Sequence, residues 1–211
     1  MSGLDLARPA ICVDFKNAHA YLAVAPTRAL EARLGMALDW LPLDVPQLVR
    51  PTPERDGDGR GGRHRKIRAR YFESDLRRYA ESRGLALGDL YRAPDTGRAA
   101  LALLFVRQRA KEKSGAFAAR VFELEWREGA DIARREVIDA ALVAVGVDAT
   151  GFAEFAAGEG PRQRAALQAE LEALGLYTVP VYLVGGEPFI GRQHLPMVEW
   201  LLTGRTGPAP I

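Results

Sequence analysis

Thr178-Val179-Pro180-Val181-Tyr182-Leu183-Val184-Gly185-Gly186-Glu187-Pro188-Phe189-Ile190 is the stretch on which the fold turns. Val179 to Val184 is apolar and rich in β-branched residues, a pattern that predicts a buried strand opening at a proline. Gly185-Gly186 supplies a tight hairpin turn, because glycine tolerates positive φ. Glu187 to Ile190 returns as a second strand, Gly191 breaks it, and Leu195 to Leu202 closes as a helix with Pro196 in its first turn. Upstream, Pro161 opens an amphipathic helix that carries Ala165, Leu167, Leu171 and Leu174 on its apolar face and ends at Gly175.

At the other end of the chain, Ala10 to Phe15 reads as a buried strand bounded by Pro9. Asn17 is a good N-cap for a helix over Ala18 to Leu34, with Gly35 as its stop. Pro26 cannot supply an interior N–H, so a bend or a restart is expected there. Met36 to Leu43 reads as a second strand, and strand-helix-strand favours a right-handed parallel crossover. Between the two ends lie helical patterns over Ile67 to Ser82, Arg98 to Lys113 and Ser114 to Glu128. Two more cover Asp131 to Val145, capped by Asp131, and about Gly151 to Ala157. This order predicts an α/β, thioredoxin-like fold interrupted by an all-helical insertion. The expected parts are residues 9–50 with 161–204, a helical domain over 63–160, and a flexible basic loop over 51–62.

The chain has 211 residues, 48% of them hydrophobic and 27% charged, which excludes disordered and collagen-like classes. No apolar run approaches the ~18 residues that span a bilayer. Met1 to Pro9 lacks a basic region followed by an apolar stretch, so a cytoplasmic chain without membrane attachment is expected. The single cysteine, Cys12, excludes a CxxC pair. With three histidines it also argues against a structural zinc site, and no metal is expected. Arg50 to Arg70 holds eight cations against three acids. That segment suits nucleic acid, a small anionic ligand or plain solvation. No aromatic residue interleaves the cations before Tyr71, which argues against nucleic acid.

Three places carry candidate chemistry. The strand-to-helix junction Asp14 to His19 presents a helix N-terminus, which favours an anion through its unpaired N–H groups and dipole. Asn17 can cap the helix through its carbonyl or donate to a ligand through its amide, and both readings stand. Lys16 and His19 add cationic or proton-transferring groups. At Thr178-Val179-Pro180, a trans bond is the statistical expectation, since only ~5–6% of X–Pro bonds are cis. A cis bond would let Val179 offer its backbone to a peptide-like ligand. Gly191-Arg192-Gln193-His194 offers either a second anion site, with Arg192 suited to a carboxylate, or a solvated cap. Cys12, on a strand, reads as a buried small hydrophobe.

These pieces together resemble a known family. D-F-K-N-A-H-A-Y-L-A (residues 14–23) is similar to the D-F-x-S-P-x-S-Y-L-A entry of the 2-hydroxychromene-2-carboxylate isomerases, relatives of kappa-class glutathione transferases and of DsbA. V-F-E-L-E-W-R-E-G-A-D-I-A-R-R-E-V-I (121–138) resembles their helical segment. Residues 175–202 resemble their cis-proline loop, hairpin and closing helix. The resemblance implies a dimer that uses glutathione without a redox cysteine pair. It puts Asn17 where the family has the serine that supports the glutathione thiolate. Val179 falls where the family pairs with the cysteinyl backbone, Pro180 at its cis-proline, and Arg192 and Gln193 at its γ-glutamyl site. The departures are Asn17 for serine, Ala18 for proline and Gln193 for an acid.

The expectation is a glutathione-dependent isomerase or transferase acting on an unsaturated aromatic-derived acid. Asn17 and His19 are its candidate catalytic residues, and Lys16 and Lys66 its candidate substrate-binding cations. The alternative is a non-catalytic thioredoxin-fold protein that binds a peptide or acidic metabolite. Without a partner for Cys12, a thiol-disulfide oxidoreductase is the weakest reading.

Overall fold

A computed structural model describes residues 3–52, 57 and 59–210. Its sheet holds four strands, β1 (Ala10–Val13), β2 (Asp39–Pro42), β3 (Val181–Val184) and β4 (Glu187–Ile190), in the order β2-β1-β3-β4. β1 and β2 are parallel, with Cys12 opposite Leu41. β3 runs antiparallel to β1, with Cys12 opposite Val181, and β4 antiparallel to β3. Every residue of β1 is buried, as its unbroken apolar sequence requires. Helix α1 (Ala18–Leu34) makes the crossover between β1 and β2. The Thr27 and Tyr182 hydroxyls, 2.7 Å apart, tie that helix to β3 inside the core.

α1 runs unbroken through Pro26, so the helix does not restart there. A proline leaves the carbonyl four residues earlier, that of Leu22, without its helical donor. Arg83 supplies one: its Nη1 donates to the Leu22 carbonyl at 2.7 Å. A residue 61 positions away thus satisfies the acceptor that local sequence leaves open.

Between β2 and β3 the regular elements are helical: α2 (Arg60–Glu81), α3 (Gly97–Arg109), α4 (Ser114–Trp126), α5 (Arg135–Ala144), α6 (Phe152–Ala157) and α7 (Gly160–Ala173). After β4 the chain closes with α8 (Leu195–Leu202). A thioredoxin-like fold with a helical insertion is therefore observed, as expected. Several boundaries differ. α3 stops before Ala110 and a short 3-10 turn follows over Lys111–Lys113. Asp131 caps a turn rather than α5, accepting from the Ala133 N–H at 3.1 Å. Of the loop expected over 51–62, residues 53–56 and 58 lie outside the described residues, and Arg60–Gly62 form the first turn of α2. The Arg- and Lys-rich run from Arg63 onward extends the helix back through Gly61 and Gly62 to its cap at Gly59, although glycine is a poor helix former. On α2 only Gly62, Leu76 and Ala80 are buried, whereas Ile67 and Tyr71 are 66% and 62% exposed.

Buried charge is paired. The Arg107 guanidinium grips Asp39 through Nε at 2.7 Å and Nη2 at 2.8 Å, and the Lys111 ammonium adds a third contact at 3.0 Å. Burial alone would raise the Asp39 pKa, but these cations outweigh it and hold the carboxyl below its usual value.

Candidate active site

The sheet register brings three distant segments to one end. β1 leads directly into the turn before α1, β3 starts opposite Cys12, and β4 ends opposite Val181. Asn17, Pro180 and Gly191 therefore meet at the same edge of the fold, and the Gly191 N–H donates to the Pro180 carbonyl at 2.8 Å. The turn before α1 is fixed from both sides. The Trp126 indole N–H donates to the Phe15 carbonyl at 2.9 Å, and the buried Asp14 carboxylate accepts from the Val45 N–H at 3.0 Å.

Asn17 has extended backbone angles and caps α1. Its Oδ1 accepts from the His19 N–H at 2.9 Å and the Ala20 N–H at 3.2 Å. With the oxygen so engaged, the amide nitrogen and its two N–H donors have no protein partner among the described residues. Capping and donation are thus compatible in one side chain.

Two adjoining cavities open here. The larger, about 870 Å³, lies between α2 and the segments at Thr178-Val179-Pro180 and Ile190-Gly191-Arg192-Gln193. The smaller, about 480 Å³, lies between Asn17, the segment from Val45 to Val49, and Arg65 and Arg68 of α2. They share His19, Arg68, Phe72 and Thr178. Both fall within the ~300–1,000 Å³ that ligand sites span.

The Val179–Pro180 peptide is cis, which corrects the statistical expectation and agrees with the resemblance. His19 sits edge-on to Phe72 with ring centres 6.1 Å apart. Burial first, and then the Arg192 guanidinium, hold His19 below the ordinary histidine range, with Asp75 opposing them. The imidazole is accordingly neutral near pH 7. Arg192 lies over the Tyr79 ring at 4.1 Å, and Gln193 donates to the Ile190 carbonyl at 2.9 Å.

The structure brings Asn17, His19, Val179, Pro180, Arg192 and Gln193 together, but not Lys16 or Lys66. The Lys16 ammonium bridges Asp14, at 2.5 Å, and Asp44, away from both cavities. Its pKa is raised: burial alone would lower it, and the two carboxylates prevail. Lys66 donates to the Gly57 carbonyl at 3.3 Å. The cations that do line the cavities are Arg65, Arg68, Arg83 and Arg192. Residues 65, 68, 72, 75 and 79 follow the three-four spacing of one helix face, whereas Lys66 lies a quarter-turn or more off it. That spacing was readable in the sequence; which face would meet the cleft was not. Cys12 is fully buried, and burial, followed by the nearby Asp39 charge, pushes its thiol up to about 12. Among the described residues no cluster of three or more metal-ligating side chains forms, and no helix is long and apolar enough to cross a membrane.

Comparison with solved structures finds the same architecture in a 2-hydroxychromene-2-carboxylate isomerase, at 20% identity and TM-score 0.70, covering 93% of this chain and 94% of that one. A probable DsbA oxidoreductase from Streptomyces coelicolor matches at 18% identity and TM-score 0.65, over 97% of this chain and 93% of that one. The cytosolic disulfide reductase DsbM from Pseudomonas aeruginosa, in a structure with GSH, matches at 21% identity and TM-score 0.54, over 82% and 84%. At these identities the likeness is one of fold. No curated protein matches the chain. The family model of the DsbA-like thioredoxin domain matches residues 11–203, nearly the whole length, and the chain therefore belongs to the DsbA-like thioredoxin family.

Proposed function

We propose that the protein is a glutathione-dependent isomerase or transferase that acts on an unsaturated aromatic-derived acid. One observation carries the reading: the Asn17 amide N–H groups lack a protein partner at the N-terminus of α1, beside cavities lined by arginines. Such a place favours an anion, and a thiolate above all needs it. The chain's own thiol, inert inside β1, does not serve. The residues present fit glutathione: an amide donor and a helix dipole for its sulfur, the Val179 backbone for its peptide, and Arg192 with Gln193 for a carboxylate. Bound there, glutathione supplies the nucleophilic sulfur on which this chemistry depends.

The chain's own residues divide the remaining work. The Asn17 amide and the N-terminal dipole of α1 hold negative charge without supplying a proton, because an amide does not ionise. His19, neutral and half-buried, can accept a proton at a ring nitrogen and return it. Arg65 and Arg68, which line the smaller cavity together with Asn17, hold the substrate carboxylate in place of the lysines expected from sequence. Phe72 and the apolar segment Val45 to Val49 offer a dry surface for an aromatic body. The reading carries with it a cytoplasmic setting and a homodimer, the latter checked by sedimentation.

Calorimetry with reduced glutathione tests the proposal directly. Micromolar to millimolar binding supports it, and no heat at millimolar ligand removes it. Binding without turnover of any unsaturated aromatic acid would leave the non-catalytic binding protein as the better description.

A further inference from the structure

β1 and β2 are joined as far as the Leu43 N–H, which donates to the Val13 carbonyl at 2.9 Å. Beyond that bond no backbone pair joins the two chains among the described residues. The smaller cavity opens between their continuations, with Asn17 on one and Val45 to Val49 on the other. Asp14 spans this gap. Its backbone carbonyl accepts from the Asn17 N–H at 3.0 Å, and its carboxylate Oδ2 accepts from the Val45 N–H, also at 3.0 Å. The two walls thus hang on opposite ends of one residue.

The rest of the carboxylate is engaged locally. Oδ1 accepts from the Lys16 N–H at 3.3 Å and the Thr96 hydroxyl at 3.4 Å, and Oδ2 also takes the Lys16 ammonium at 2.5 Å. The side chain is 2% exposed. A carboxylate so buried is costly unless it is paired and hydrogen-bonded, so its presence needs a reason besides packing. Lys16 neutralises the charge, and acceptance is the property left over. Without it the backbone N–H groups of Lys16 and Val45 would lose their protein partner.

We infer that Asp14 is a positioning residue of the site: it fixes the Asn17 amide relative to the Val45 to Val49 wall, as an acceptor and not as a charge. Its effect on a bound sulfur rests on the glutathione reading; the clamp between the two walls does not.

Two variants separate position from charge. Asp14→Ala strands the Val45 N–H. Asp14→Asn keeps an oxygen for Val45 and turns its NH₂ to Thr96, whose hydroxyl accepts as readily as it donates. In both, Gln168 of α7 still holds the Asp44 N–H and carbonyl at 2.9 Å each, which keeps the wall attached.

Amide hydrogen exchange without ligand, followed by NMR, reads the clamp. Asp14→Ala should speed exchange at Val45 by about ten-fold or more while Leu43 stays protected, and Asp14→Asn should stay within about three-fold of the unaltered protein. Val45 as protected in Asp14→Ala as before, or released equally in both variants, or released only together with Leu43, overturns the inference. Calorimetry and the ultraviolet thiolate band then read the consequence. In Asp14→Ala glutathione should bind roughly ten-fold more weakly and ionise at higher pH, and Asp14→Asn should recover most of both. A thiol that ionises at an unchanged pH in Asp14→Ala, despite a loosened Val45, reduces Asp14 to a structural brace and overturns its positioning role. No glutathione binding by the unaltered protein overturns the proposed function alone, and the exchange comparison still decides the clamp.

Discussion

The Arg83 guanidinium donates 2.7 Å into the helix α1 backbone at the Leu22 carbonyl, the acceptor left open by Pro26. Helix α1 continues through a proline, and a side chain from beyond the end of α2 completes its hydrogen bonding. The same guanidinium lines the larger cavity, so one residue braces α1 and charges the site.

This contact predicts coupling between positions 26 and 83. Arg83→Ala should destabilise the fold by about 1–3 kcal/mol, the cost of stranding a buried acceptor. In a Pro26→Ala background the helix regains its own donor, and the loss from Arg83→Ala should shrink markedly. Urea denaturation of the four proteins measures the coupling, and strict additivity would reject the account.

Asn17 has two separable duties. Asn17→Ala removes the cap and should cost about 1 kcal/mol in stability, whereas Asn17→Asp keeps a capping oxygen and should remain near wild type. Both variants lose the amide donors. If those donors hold a thiolate, each should raise the pH at which bound glutathione ionises, Asn17→Asp the more because it adds a like charge. Thermal melts and the ultraviolet thiolate band distinguish the two effects.

Asp39 should set the acid limb of stability. Its folded pKa lies below the unfolded value of about 3.9. Its contribution is therefore complete above that value and is lost as the pH falls through the folded pKa. Asp39→Asn should destabilise by about 3–5 kcal/mol at neutral pH by leaving the buried Arg107 against a neutral group. Denaturation curves across pH should show this difference narrowing below about pH 4.

His19 should titrate below the usual histidine value of about 6.5 in an NMR series, since burial and Arg192 both disfavour its cation. Arg192→Gln should move that titration up, and Asp75→Asn should move it down. The shift also destabilises the fold in mild acid. The unfolded chain binds the proton first, so stability contributed by the neutral ring is present above about pH 6.5 and lost as the pH falls towards the folded value. A His19 pKa unmoved by Arg192→Gln would detach the two residues.

Much of the architecture was legible from local pattern alone. The apolar runs at Ala10 to Val13 and Val181 to Val184, the Gly185-Gly186 turn and the Asn17 cap each depend on neighbours a few residues away, where side-chain period and backbone preference act directly. The order of those signals pointed to the sheet, and the family resemblance to Asn17, Pro180 and Arg192 as one site. The cations were different. A sequence displays charge but not direction, and Lys16 and Lys66 carry the expected sign while packing turns Lys16 onto Asp14 and Asp44 and leaves Lys66 off the cleft face.

Local preference therefore determined which segments are strand, helix and turn in this protein. Tertiary structure alone decided that α1 continues through Pro26, and that Arg65 and Arg68 rather than Lys16 and Lys66 line the cavities. Each of these depends on which face of α2 is laid against α1 and the hairpin, and that choice is made by burial of Leu76 and Ala80, not by the charged residues it positions.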